Sequence, residues 1–419
     1  MRKTLSLTIL LLSLLLSPQN SWAVIEFTAT VCSSGCDYTL LSTAEAALDN
    51  ATNLTSATAA KCGANSTLVG TIADGAAVTW DAGVSTGTMV HETSTQYFLT
   101  VTSGTLDALD IVSDGTNTFV ASTVDTCQVT MDLQSSISDS VLLDGVTTGA
   151  TNYTKITSSA PYRHNGTAAS GVIITGAGAN VVKVSDPSDV VEWLIIKTTV
   201  SSSGNGQCVY VDQTNTILRN SIIANCENFG SGIFGALIIG TNSTDETADN
   251  NIIFGAEAYG ITLDIGGGLT MNAYNNTVYG TTGGKGITEN STNGTSRVVN
   301  NISMNNSSAD FDTSFNTYTN NMSEDTSGNI ASKDINTQFV NIGAGTEDFH
   351  LVTGSDCKDA GTDLGTSPQN IQFDIDNYDR DTTGVTWDCG ADEFVAQGAS
   401  TATPTISGLK IGGIIISGM

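Results

Sequence analysis

Asn251-Ile252-Ile253-Phe254, Asn276-Thr277-Val278-Tyr279, Asn301-Ile302-Ser303-Met304 and Asn321-Met322-Ser323 decide how this chain is read, because each is an asparagine followed by a short apolar or β-branched run. An earlier stretch, Asn220-Ser221-Ile222-Ile223, extends the series, and the asparagines then follow one another at steps of 31, 25, 25 and 20 residues. A unit that returns about every 25 residues is a solenoid period. Stacked coils bring equivalent positions to the strand spacing of about 4.8 Å, where side-chain amides can donate to and accept from those above and below. Asn220, Asn251, Asn276, Asn301 and Asn321 are therefore expected to form a buried ladder, since a lone buried amide would be costly. The asparagines just before them, Asn250, Asn275, Asn300 and Asn320, suit tight corners, because Asn tolerates a left-handed backbone. Helical repeats of similar length are excluded by the amount of Gly, Asn and β-branching.

A repeat of this kind resembles the right-handed parallel β-helix superfamily of pectate-lyase-like proteins. The resemblance covers residues 141–340, with Val190-Val191-Glu192-Trp193-Leu194-Ile195-Ile196 as an earlier rung. It implies an all-β solenoid with three strands per coil and an inward Asn at one turn. About eight coils would stand roughly 38 Å tall. Upstream, Tyr153-Thr154-Lys155-Ile156 and Arg163-His164-Asn165-Gly166 look like an entry pattern of some secreted β-helix proteins, and the second block reads equally well as a solvated turn.

The start of the chain reads as an export signal over residues 1–23. Arg2 and Lys3 are basic, Leu5 to Leu16 is apolar with Ser and Thr, and Ser21-Trp22-Ala23 is a small-x-small cleavage site. The apolar run is short of the roughly 20 residues that span a bilayer, so no transmembrane segment is expected after cleavage. The eight cysteines all follow this segment, and an even count in an exported chain favours disulfides over metal ligation. Cys208 with Cys226 and Cys357 with Cys389 are the expected pairs, the first bridging neighbouring strands of one coil. A zinc site is disfavoured, because no paired CxxC is present and the three histidines, His91, His164 and His350, stand in unrelated contexts.

Composition bounds the partners. There are 42 acidic residues against 14 basic ones, giving a net charge of −28, with 43 Gly and only 5 Pro. Phosphate contacts need clustered Lys and Arg, so nucleic acid is excluded as a partner. Hydrophobic residues make up 39% and arrive in short bursts, enough to bury a core rather than leave the chain disordered.

Residues 24–140 are expected to form an N-terminal cap and a small β-rich region. Leu40 to Leu48 is the best short helix, with Ser42 or Thr43 as its cap, and Thr71 to Gly115 reads as a small antiparallel β module. Residues 397–419 read as a linker ending in the apolar tail Ile411 to Met419.

Residues 341–396 read as a cap. Asp348-Phe349-His350-Leu351, Gly354-Ser355-Asp356-Cys357-Lys358-Asp359-Ala360-Gly361, Asp374-Ile375-Asp376 to Arg380, and Asp388-Cys389-Gly390-Ala391-Asp392-Glu393-Phe394 follow in order. That order resembles the choice-of-anchor Q domain, which ends many exported β-helix proteins. Here Asn377 stands where a Gly is usual and Asp381 where a Pro is usual. Asp374, Asp376 and Asp379 place three carboxylates within six residues, the oxygen-rich setting that Ca²⁺ prefers. The competing and favoured reading is a solvated acidic turn in which Arg380 pairs with Asp388 or Glu393.

Catalysis on such a scaffold needs particular groups. A polysaccharide lyase needs a base and a cation beside the uronate carboxylate, for which Arg219, Lys285 and Arg297 are the candidates within the repeat. A glycosidase needs two carboxylates at a set separation, and Asp245, Glu246 and Asp249 cluster in one loop. The signatures of the polygalacturonase group are absent, and a strongly anionic chain is poorly suited to gripping an anionic polymer. The leading expectation is an exported, non-catalytic surface or matrix protein that binds carbohydrate or protein partners through its solenoid faces. A secreted lyase or glycosidase and a phage tail-spike-like virion protein are the alternatives.

Overall fold

The computed structural model describes residues 25–395 except 49–53, 55–59, 125, 178–179, 200–206, 228–234, 241–243, 291–292, 313, 367–369 and 384–385. The expected export signal and the apolar tail lie outside the described residues. Three parallel sheets of nine, eight and six strands stack side by side into a parallel β-helix. Six coils, from Cys127–Leu133 through Ile287–Glu289, contribute a strand to all three sheets in the order first, second, third. At the far end the first two sheets continue through Thr295–Val299, Ile302–Met304, Thr317–Thr319 and Met322–Ser323.

The solenoid begins well before residue 141. Ile25–Val31 is the outermost strand of the first sheet and pairs in parallel with Cys127–Leu133, seven residues against seven. Between these strands the chain leaves the solenoid. The helix Leu41–Leu48 places Leu41 and Ala44 against the end of the main core. It starts at Leu41 rather than after a Ser42 or Thr43 cap, and the Ser42 hydroxyl donates instead to Asp139 at 3.0 Å. A closed antiparallel barrel follows over Ala60–Val69 to Thr118–Ala121, filled by Trp80, Leu99, Val112 and Phe119. The Cys62–Cys127 disulfide returns it to the solenoid, so this β module is an insertion within the first coil.

Inside the solenoid the strands alternate as a pleated surface requires. Ile156, Val191, Leu218, Ala248, Ala273 and Val298 line the interior from the first sheet, and Ile174, Ile196, Ile223, Ile253 and Val278 from the second. The corner between these two sheets is a single residue with positive φ in six successive coils: Trp193, Asn220, Asn250, Asn275, Asn300 and Asn320. The residue after each corner turns inward. Asn251 donates through Nδ2 to Asn276 Oδ1 at 3.0 Å, Asn276 to Asn301 at 3.0 Å and Asn301 to Asn321 at 3.0 Å. Each Oδ1 also accepts the backbone N–H of the previous rung, at 2.9–3.1 Å. Every ladder amide is thereby satisfied although fully buried.

Asn220 is not part of this ladder. The register pairs Ile222 with Ile252, so Ser221 stands opposite Asn251 and Asn220 opposite the corner Asn250. Ser221 accepts the Leu194 N–H at 3.4 Å, and its own N–H donates to Asn251 Oδ1 at 3.0 Å. The true step is therefore 30 residues, and at its far end the ladder continues to Asn329, which accepts from Asn321.

Residues 339–395 do not close the end of the solenoid. They run back along its flank as a strap over the outer face of the second sheet. That face carries Ile195, Ile222, Ile252, Phe254, Ile302, Met304 and Met322, and the strap covers it with Phe339, Phe349, Leu351, Ile375 and Ala391. A strand buried on both faces has no polar alternation, which is why Ile222-Ile223 and Ile252-Ile253-Phe254 are apolar throughout.

All eight cysteines pair: Cys32–Cys36, Cys62–Cys127, Cys208–Cys226 and Cys357–Cys389. Both expected bridges form. Cys208 lies on a third-sheet strand and Cys226 just after a second-sheet strand of the following coil, so the bridge ties one coil to the next. Cys357–Cys389 closes the strap on itself.

Candidate functional site

The strap is fixed to the solenoid by the corner asparagines. Asn250 Nδ2 donates to Ile371 O and Phe373 O, both at 2.9 Å, and Asn220 Nδ2 donates to Phe373 O at 3.1 Å and to Asp374 O. Asn300 exchanges two hydrogen bonds with the Thr362 backbone, at 2.8 and 2.9 Å. Arg380 completes the seam. Its guanidinium, with no exposed surface, pairs with Glu393 at 2.9 Å and donates to Gly390 O, Asp388 O and Asn250 Oδ1. The expected pairing of Arg380 is thus present, and it is buried rather than solvated.

Where the strap meets the loop after Thr154–Thr157 it leaves a cleft of about 930 Å³, with Arg163, His164 and Asn165 on the solenoid side and His350, Asp376, Tyr378 and Asp392 on the strap side. The entry pattern and the C-terminal blocks, far apart in sequence, thus face each other. Arg163 stacks over Trp193, 4.4 Å from the ring centroid, and its Nε donates to Ser158 O at 2.7 Å. His164 is buried and donates through Nε2 to Asn220 O at 2.8 Å. Burial pushes its pKa down to about 4, so it is a neutral structural hinge between loop and corner.

His350 behaves in the opposite way. Its Nδ1 bonds Asp348 Oδ1 and its Nε2 bonds Asp376 Oδ2 at 3.1 Å. Burial opposes a charge here, but Asp376, Asp392 and Asp348 overcome it and raise the pKa to about 10. Asp392, 5% exposed, accepts the Leu351 N–H at 2.7 Å, and burial followed by the charge of Asp374 pushes its carboxyl up. Two of the three histidines therefore share one cleft, contrary to the expectation of unrelated contexts. The third, His91, is held at the barrel junction by Asp74, at 3.0 Å, and by Tyr38.

Asp374, Asp376 and Asp379 are not brought together as one ligand set. The Asp374 carboxylate is buried and occupied by three backbone N–H groups, from Asp376 at 2.9 Å, Tyr378 at 2.7 Å and Glu393 at 3.0 Å. Asp379 accepts from Asp381 N at 3.0 Å in the next turn. Asp374 and Asp376 both line the cleft, but of the three only Asp376 bonds His350. The group that converges is His350, Asp376 and Asp392, whose donor atoms all lie within 4.8 Å of one another. Asp392 and His350 were legible only as members of the ordered C-terminal blocks, since nothing local in either block marks a ligand.

Most of the lyase and glycosidase candidates inside the repeat are engaged in structure, Asp245 and Arg297 being exposed. Arg219 is 3% exposed and pairs with the fully buried Asp249 at 3.1 Å. Lys285 pairs with Asp312 at 2.6 Å, and Glu246 is buried. Arg297 is exposed, with Asn272 Oδ1 at 3.5 Å.

No protein-family model matches this chain. No curated protein matches it either. Among solved structures it is similar to that of pectate lyase Pel9A, at 11% identity and a TM-score of 0.33, over 64% of this chain and 88% of that one.

Proposed function

We propose that this chain is an exported, non-catalytic β-helix protein of the cell surface or matrix that binds carbohydrate through an open solenoid face. One observation carries the reading. Lys155, Val190, Ile217, Thr247, Asn272, Arg297 and Thr317 follow one another in register across the first sheet, whose outer face the strap's apolar core does not use. Val190, Thr247 and Asn272 are buried in this row. Lys155, Ile217, Arg297 and Thr317 keep exposed surface and offer hydrogen-bonding groups and apolar surface on the face, with the half-buried Tyr274 beside them, its hydroxyl 3.0 Å from Asn272 Oδ1. Sugars need this mixture of hydroxyl partners and apolar C–H contacts.

Four disulfides support export, because such bonds persist in oxidising compartments. The resemblance of the C-terminal blocks to the choice-of-anchor Q domain supports it too. A non-catalytic role is supported by the burial of Arg219 against Asp249, which withdraws the cation a lyase would present to a uronate.

A glycan array with the exported protein, with and without Ca²⁺ and followed by product analysis, tests the reading. Binding without turnover, weakened by Arg297→Ala and Thr317→Ala, is expected. Unsaturated or shortened sugars would overturn it in favour of an enzyme, and silence on the array would remove the carbohydrate ligand.

A further inference from the structure

We propose that His350, Asp376 and Asp392 bind a divalent first-row transition ion, Zn²⁺ foremost, at the floor of the cleft between the strap and the loop at residues 163–166. The three side chains come from separate parts of the strap, yet each offers one donor atom and all lie within 4.8 Å of one another. The 3.1 Å between His350 Nε2 and Asp376 Oδ2 is what two neighbouring ligands show when each sits about 2.0–2.2 Å from a shared ion.

Three further features point to an ion rather than to a bare ion pair. His350 donates its other ring nitrogen, Nδ1, to Asp348, the carboxylate partner that fixes the tautomer and orientation of a metal-binding imidazole. Asp392, although 5% exposed, uses only Oδ2, for the Leu351 amide, and its second oxygen is left to the cleft that it lines. Gly166, at φ +75°, passes so close that a Cβ there would lie 2.3 Å from His350 Nε2 and 2.8 Å from Asp376 Oδ1. The absence of a side chain at residue 166 keeps the space between the donors open.

The donor set selects the ion. An imidazole nitrogen with two carboxylates suits Zn²⁺, whereas Ca²⁺ and Mg²⁺ take oxygen ligands. Binding displaces the proton that Nε2 shares with Asp376 to solvent. Three protein ligands leave at least one coordination position directed into the cleft, available to water or to an oxygen of a bound molecule. This inference stands independently of the glycan reading, which concerns the first-sheet face.

Calorimetry of the full chain, stripped with a chelator and titrated with Zn²⁺ or Ca²⁺ at physiological and at high salt, tests it. One Zn²⁺ per chain is expected, retained at high salt and bound at least about 10-fold more tightly than Ca²⁺. Asp348→Asn should weaken it about 10–100-fold. His350→Gln and Asp376→Asn should abolish it, and circular dichroism confirms that each variant is folded. Asp376 has a 40% exposed side chain, so its variant serves if His350→Gln unfolds. Binding that vanishes at high salt, tighter Ca²⁺ than Zn²⁺, or Zn²⁺ affinity unchanged in folded Asp376→Asn would overturn the assignment.

Discussion

Asn250 and Asn251 are neighbours in the chain, yet the side chain of one leaves the solenoid while that of the other enters it. The inner series, Asn251, Asn276, Asn301 and Asn321, bonds to copies of itself from coil to coil. The outer series, Asn220, Asn250, Asn300 and Asn320, takes up a positive φ and reaches the strap at residues 362–374. Repetition holds the ladder together, whereas the strap seam depends on contacts that do not repeat from coil to coil, between residues 42 to 154 positions apart. A ladder can lengthen by adding coils. The seam cannot, because its asparagines meet irregular partners in the strap, Phe373 serving Asn220 and Asn250 and Thr362 serving Asn300 and Asn320.

That contrast can be broken first at the ladder. Asn276→Ala leaves Asn251 without an acceptor for its amide N–H and Ala248 O without a donor. At about 1–3 kcal/mol for each stranded group, a loss of roughly 2–6 kcal/mol in urea unfolding is expected. Next comes Arg380→Ala, which leaves Glu393 charged and buried and should cost about 3–5 kcal/mol. Arg380→Met with Glu393→Leu should recover only part of that loss, because Gly390 O, Asp388 O and the Asp388 N–H lose their partners. Removing Cys357–Cys389 with paired serines should cost about 2–4 kcal/mol, confined to the strap.

A smaller effect sharpens the comparison within the outer series. Asn250→Gly keeps the left-handed corner but drops the bonds to Ile371 O and Phe373 O, and should cost about 1–2 kcal/mol. Asn275 occupies the equivalent corner, fully buried, with neither side-chain polar atom hydrogen-bonded. Asn275→Gly should therefore cost little or nothing, and a loss equal to that at Asn250 would contradict the seam.

The two cleft histidines give the shallowest test, through pH. His350 has its pKa raised to about 10, so its contribution is complete below about 6.5 and is lost as pH rises through 10. His164 is lowered to about 4, so protonation favours the unfolded chain and stability falls as pH drops from about 6.5 to 4. His350→Gln should flatten the alkaline limb alone and His164→Phe the acid limb alone, measured by urea midpoints across pH.

Much of the fold was legible because a solenoid writes the same residue at the same place in every coil. The slip at Asn220 shows the limit of that reading. The ladder position there is Ser221, and an Asn one place earlier, at the corner, mimics the repeat. The start of the solenoid was placed at residue 141 because a barrel of some sixty residues separates Ile25–Val31 from its partner strand, and no local pattern joins them. The flank position of the strap was hidden for a related reason. Double-sided burial shows only as unbroken apolar triplets such as Ile252-Ile253-Phe254, which an interior strand also produces. At the site, closeness in sequence pointed to Asp374, Asp376 and Asp379, but backbone N–H groups claim the first and the next turn carries away the last. Only chain reversal brings His350 and Asp392 to Asp376.

Hydrogen exchange over the strap tests the central claim, that residues 339–395 are docked along the second sheet and so build the cleft. The amides of Leu351, Arg380, Ile375 and Ala391, which bond Asp392, Gln372, the Ala391 carbonyl and Thr277, should exchange as slowly as those of Ile252 and Ile302 beneath them, and together become fast in Arg380→Ala. Rapid exchange of those strap amides in the unmodified protein, with the second sheet still protected, would contradict the account.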